Sequence, residues 1–314
     1  MKRAFRARNS LVVAAMLLAV AGGCRTTPIT GRKQLLLIPE QQEISMGLAA
    51  FAETKTNEPL STNPQYLALV TRVGQRIAQA ADRPDYQWEF RVVASAEQNA
   101  YCLPGGKVTV HEGILPVCAN EAGLAVVMSH EVAHALARHG GERMSHSMAV
   151  EGVKHAVDYF TKETEQRQRE LILQAYGVGT KYGVVLPYSR KHETEADHMG
   201  LTLLAKAGYD PTEAPRFWQR FGKATQGADP PEFLSTHPSD EHRAQNLAQL
   251  LPEAQSLYAQ ATEKHGLGEM IDPASAAVPA SSMTSSSTQP IVPPALSPTT
   301  TSASAWLPPP FVSR

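Results

Sequence analysis

Apolar positions recur along the chain with two periods, and each predicts a different kind of element. Between Glu40 and Lys55, and more clearly between Pro64 and Ala81, they return every three to four residues. In the second stretch Leu67, Val70, Val73, Ile77 and Ala81 share one face, which predicts an amphipathic helix in each segment. Trp88 to Ala94 is strand-like, and from Lys107 to His111 the valines Val108 and Val110 alternate with Lys107, Thr109 and His111. Leu103-Pro104-Gly105-Gly106 is turn chemistry, so Asn99 to Leu115 reads as a hairpin. From Asn120 onward the pattern is helical, with breaks at Gly140-Gly141, around Gly177 to Pro187, at Gly208 to Pro211 and at Gly227 to Pro238. No internal repeat interrupts it. The fold class expected is α+β, helix-rich, with a small sheet.

Both ends depart from this pattern. Lys2, Arg3, Arg6 and Arg8 precede an apolar run from Leu11 to Gly23, which predicts a secretory signal peptide over residues 1–23. The run is about 13 residues, against the roughly 20 that a membrane-spanning helix needs. Ala21-Gly22-Gly23-Cys24 resembles a bacterial lipobox, with Ala21 where Leu is usual, and Ala19-Val20-Ala21 offers an ordinary cleavage site instead. On the lipobox reading Cys24 is acylated and residues 24–34 are a lipid-anchored linker. The place is the periplasm, and Arg25 after the cysteine directs the anchor to the outer membrane. Residues 267–314 are rich in Pro, Ser, Thr and Ala and have almost no charge, the composition of a disordered tail. The folded domain is then 35–266.

Charge excludes one class of partner. The 314 residues carry 29 Lys and Arg against 30 Asp and Glu, which leaves no basic surplus for phosphates, so nucleic acid is not expected. Loss of residues 1–23 would leave 25 basic against 30 acidic residues, about −5. Three cysteines are too few for a disulfide scaffold. With Cys24 acylated, Cys102 and Cys118 either pair, in a loop closure worth about 3 kcal/mol, or stay as buried thiols.

The chemistry concentrates in Glu121 to His139. On a helix, His130 and His134 lie one turn apart on the same face, so both imidazoles can reach one ion at about 2.0 to 2.1 Å, with Glu131 beside them as a general base for water. Their neighbours Leu124, Val126, Val127, Ala133 and Leu136 are apolar. Ionisable groups there cost several kcal/mol unless they are paired or bound to metal. Two histidines hold zinc loosely, so a third ligand is needed. Tyr188 to His198 offers Glu193, with Asp197 on the same face to take a ligand histidine's ring N–H. His192 is an alternative ligand, and a solvated charge cluster is the reading without metal.

Five ordered motifs carry a family resemblance: Thr30-Gly31-Arg32-Lys33-Gln34-Leu35, Asn99 to Gly106, His130-Glu131-Val132-Ala133-His134, Ser189 to Asp197 and Ser235-Thr236-His237-Pro238. The chain resembles the CAAX-prenyl-protease-like and HtpX-like zinc metallopeptidases, in their branch of periplasmic lipoproteins. The resemblance implies a zincin-like (gluzincin) core and one Zn2+ per chain on His130, His134 and Glu193. Glu131 would be the base, Asp197 a site partner, and His237 an extra ligand or a donor to the oxyanion. By itself, a histidine before Pro238 would read as a polar loop residue. The activity implied is endopeptidase quality control of unfolded or misassembled envelope polypeptides, with the outer-membrane assembly machinery as a further partner. A zinc-dependent chaperone-like module that does not cut is the competing reading. A peptidase held dormant by His237 is a third.

Overall fold

The structure is a computed structural model, and it describes residues 23–146, 148–149, 186–224, 233, 237 and 242–271. The expected signal segment, Pro238 and the tail beyond Ile271 lie outside these residues. Two short strands open the described chain, β1 (Cys24–Thr26) and β2 (Lys33–Leu35), paired antiparallel. Helices α1 (Glu40–Asn57) and α2 (Pro64–Ala81) follow. Then come β3 (Glu89–Val93), β4 (Ala100–Leu103) and β5 (Lys107–His111), and the short α3 (Leu115–Cys118). The remaining labelled helices are α4 (Glu121–Leu136), α5 (Leu186–Lys206), α6 (Glu213–Ala224) and α7 (Arg243–Gln260).

Local signals set many of these limits. The Asn63 side chain accepts hydrogen bonds from the Gln65 and Tyr66 amides, and Pro64 occupies the first turn, so α2 begins where expected. Its buried face is Tyr66, Leu69, Val70, Val73 and Ile77, while Leu67, expected in the core, is exposed. Asn120 caps α4 in the same manner, its side chain accepting from the Gly123 amide at 2.8 Å.

The sheet order is β3-β5-β4, with β3 parallel and β4 antiparallel to the central β5, which leaves β4 at an edge. All five β5 residues are buried, although alternation suggested a half-exposed strand. The polar face is covered as well: Arg91 donates to Thr109 at 2.9 Å and to Glu58 of the chain after α1 at 2.6 Å, and its guanidinium stacks on Phe51.

Helix α4 is buried on every side and packs along α5. A Cβ at Gly200 would sit 3.1 Å from the His130 backbone, so the missing side chain permits this close approach. Cys102 and Cys118 are both free thiols, and burial pushes each well above the usual thiol range.

Two boundaries differ from expectation. Residues 24–34, expected as the linker ahead of the domain, form a hairpin bonded to α5 through Thr27, Thr30 and Arg32. The ordered chain also passes 266: the amides of Glu121 and Ala122 donate to the carbonyls of Glu269 (2.8 Å) and Leu267 (3.0 Å) at the start of α4. Among the described residues, no helix is long and apolar enough to cross a membrane.

Candidate metal centre

The site forms where α4 crosses α5. His130 and His134 on α4 turn their Nε2 atoms to within 3.1 Å of each other. Glu193 on α5 spans them, Oε2 lying 3.3 Å from His130 Nε2 and Oε1 3.3 Å from His134 Nε2. His237 joins from the C-terminal side, its Nδ1 3.2 Å from Glu193 Oε1. One ligand atom from each of the four residues lies within 4.8 Å of the others.

The donor set fits a cation. Three imidazoles and a carboxylate are borderline ligands of the kind zinc takes. Glu193 Oε2 and Oε1 of the neighbouring Glu131 are buried and meet only long ion-pair contacts, Arg243 Nη1 and His130 Nε2 at 3.3 Å from the first and His237 Nε2 at 3.5 Å from the second. A buried carboxylate among converging imidazoles is the arrangement that a divalent ion satisfies.

Charge within the cluster is unevenly held. Burial and Arg243 lower the His130 pKa, but hydrogen bonds to Asp197 and Glu193 outweigh them and raise it to about 9. Burial drives His134 well below the usual histidine range. Burial would lift Glu193, yet the hydrogen bonds from three histidines bring its carboxyl far below normal. Glu131 goes the other way, raised by burial against the attraction of His237 and His130.

Around this set stand groups that orient it. Asp197 Oδ1 accepts from His130 Nδ1 at 3.1 Å, as the four-residue spacing from Glu193 suggested. Arg243 grips the same oxygen at 2.6 Å while its guanidinium lies 3.5 Å from the Trp218 ring centre. Sequence reading missed Arg243: six residues after His237, it is indistinguishable there from any helix-surface arginine. It also gave no role to His139. Helix α4 stops at Leu136, and Arg138 adopts a positive φ of 58°, which turns His139 back so that its Nδ1 lies 2.9 Å from His134 Nδ1. Burial, then His192, lowers the His139 pKa to about 4 against the pull of Glu195. His192, the alternative ligand, is turned away and meets Glu142 at 3.0 Å. His198, also outside the cluster, faces Glu253.

The site opens on a cleft of about 720 Å³. One wall is the edge strand β4 with Tyr101, Leu103 and Pro104, and the floor carries Glu131, His134 and His237. The aromatic rings of Trp218 and Phe233 stack behind the site, and Phe233 touches His237 with ring centres 4.8 Å apart.

Comparison with known proteins agrees with this geometry. The pattern of peptidase family M48 matches residues 64–251. The chain is 36% identical over 232 residues to mitochondrial metalloendopeptidase OMA1 of Schizosaccharomyces pombe, covering 73% of this chain and 66% of that protein. It is 33% identical over 247 residues to the mitochondrial metalloendopeptidase OMA1 of Homo sapiens (73% and 46%). It is 26% identical over 249 residues to the beta-barrel assembly-enhancing protease of Escherichia coli (78% and 51%). The chain thus spans between about half and two thirds of the length of these relatives.

Proposed function

The chain belongs to peptidase family M48 and so carries a metallopeptidase domain, and from that premise we propose that it is a zinc-dependent endopeptidase acting on unfolded or misassembled proteins of the cell envelope. The observation that carries the reading is the convergence of His130, His134 and Glu193, with Glu131 buried beside them, at a cleft walled by edge strand β4.

When bound, zinc supplies Lewis-acid polarisation of the scissile carbonyl and acidifies water. Within the protein, Glu131 is the base. It is buried on the helix that bears both histidines, and it takes the proton of the attacking water and returns it to the leaving amine. His237 Nε2 lies 3.5 Å from Glu131 Oε1, on the cleft side, where it can donate to the developing oxyanion. Asp197, held by Arg243, keeps the His130 ring hydrogen on Nδ1 and leaves Nε2 free as a ligand.

Edge strand β4 supports the choice of substrate. An extended peptide can add to it through main-chain hydrogen bonds, which favours unfolded chains over stable globules and asks little of their sequence. The envelope setting is supported by the lipobox resemblance at Cys24, which is exposed at the start of β1, and by the name of the Escherichia coli relative.

The test is cleavage of an unfolded polypeptide by purified protein of measured zinc content, beside Glu131→Gln. The expected result is cutting by the wild type and a loss of at least about 100-fold in Glu131→Gln with zinc still bound. Equal cleavage by both would reject the role of Glu131. A zinc-loaded wild type that binds the chain without cutting it would replace the peptidase with a holding module.

A further inference from the structure

The two ligand histidines are oriented by different means. His130 has a carboxylate, Asp197, directly on its Nδ1. His134 reaches a carboxylate only through a second ring, and that carboxylate is held by the N-terminal hairpin. Its Nε2 faces Glu193 and His130, so a cation bound there requires the ring hydrogen on Nδ1. Nδ1 lies 2.9 Å from His139 Nδ1, which must then accept. A neutral His139 consequently carries its hydrogen on Nε2, 3.0 Å from Glu195 Oε2.

Glu195 is an acceptor at both oxygens. Arg32 Nε donates to Oε2 at 2.6 Å, and the Thr27 hydroxyl donates to Oε1 at 2.6 Å, joined there by Thr30. The remaining guanidinium nitrogens of Arg32 grip Glu142 at 2.9 and 2.6 Å. Glu142 accepts from His192, whose ring stacks on His139 with centres 4.3 Å apart. His139, Glu142, Glu195 and His192 are all at most 5% exposed, so water does not substitute for a missing partner. The hairpin lies wholly before residue 64, where the family pattern begins.

We infer that Thr27, Thr30 and Arg32 are positioning residues of the metal centre: through Glu195 and His139 they set the tautomer and angle of His134, so the hold of the site on its cation depends on the hairpin Cys24–Leu35. This rests on the zinc reading above. Hydrogen bonds run from His134 through His139 to Glu195, and those of the hairpin converge on the same carboxylate from the other side.

The test measures zinc affinity by chelator competition on the full chain, with the His134 ring 15N shifts of the zinc-loaded protein as a second readout. Arg32→Ala and the near-isosteric pair Thr27→Val with Thr30→Val are compared with Arg72→Ala, an arginine that pairs with buried Glu121 at the far end of α4. The two hairpin variants should bind zinc 10- to 100-fold more weakly and show an altered Nδ1 shift. Arg32→Lys should recover part of the affinity, since it can reach Glu195 but cannot also hold Glu142 at two nitrogens. Arg72→Ala should leave affinity within about twofold while lowering the melting temperature. Wild-type affinity and shifts in the threonine pair would overturn the inference. So would equal weakening in Arg72→Ala, which would reduce the effect to general stability. A wild type that binds no zinc would overturn the proposed function instead.

Discussion

At the scale of single residues, Glu193 and the nearby Glu142 and Glu195 are carboxylates kept ionised in places that would otherwise neutralise them. Glu142 and Glu195 show this away from the ligands. Burial would raise both, but His192 and Arg32 hold Glu142 down at about 2, and His139, Thr27, Thr30 and Arg32 do the same for Glu195. A carboxylate depressed on folding contributes stability that is complete above its unfolded pKa, here 4.5, and is lost as pH falls toward its folded value. These two carboxylates add no slope from pH 7 to about 5, and the unfolding free energy from urea titration should drop between about pH 5 and 2 by at most about 3 kcal/mol for each group. Glu142→Gln should be less stable at pH 7 and have a shallower fall. A wild-type midpoint flat from pH 5 to pH 2.5 would contradict this. His130 with His134, and Glu193 with Asp197, were readable because helical spacing puts each pair on one face, and Glu131 because it follows His130 in the H-E-x-x-H arrangement. Arg243 and His139 were not, because Arg243 comes from a different helix, α7, and His139 from beyond the left-handed turn at Arg138, neither of which spacing describes.

At the scale of elements, two helices have to cross closely for ligands on both to meet. Helix α4 is apolar on all sides, and α5 approaches its backbone at Gly200. The substitution Gly200→Ala decides whether that contact is needed. In an exposed helix the change would stabilise by about 1 kcal/mol. Here the new methyl would lie 3.1 Å from the His130 backbone, which cannot step aside as a side chain can. We expect a loss of about 1 to 3 kcal/mol by denaturant titration, with lowered turnover from the displaced ligand. A gain in stability would mean that the helices do not meet as described. Element limits were legible where a local signal exists, as at Asn63-Pro64 and Asn120. The side that faces the core was less so. Leu67 fits the helical period yet is exposed, and β5 alternates yet is wholly buried, because which face another element covers is a tertiary matter.

At the scale of the whole molecule, the two ends of the described chain do more than a sequence reading assigned them. Residues 24–34 read as a linker only through the lipobox before them, but their polar residues are bonded to partners more than 100 positions away. Residues 267–271 likewise continue the fold by pairing with the start of α4. Long-range polar pairing of this kind has no periodic signature. The account as a whole depends on side chains from α4, α5 and the segment at His237 converging on one ion. The most direct measurement is anomalous diffraction at the zinc edge from crystals of the zinc-loaded protein. One peak is predicted per chain, about 2.0 to 2.2 Å from His130 Nε2, His134 Nε2 and a Glu193 oxygen. An anomalous map with no peak among these three residues, or with zinc bound elsewhere on the chain, would contradict it.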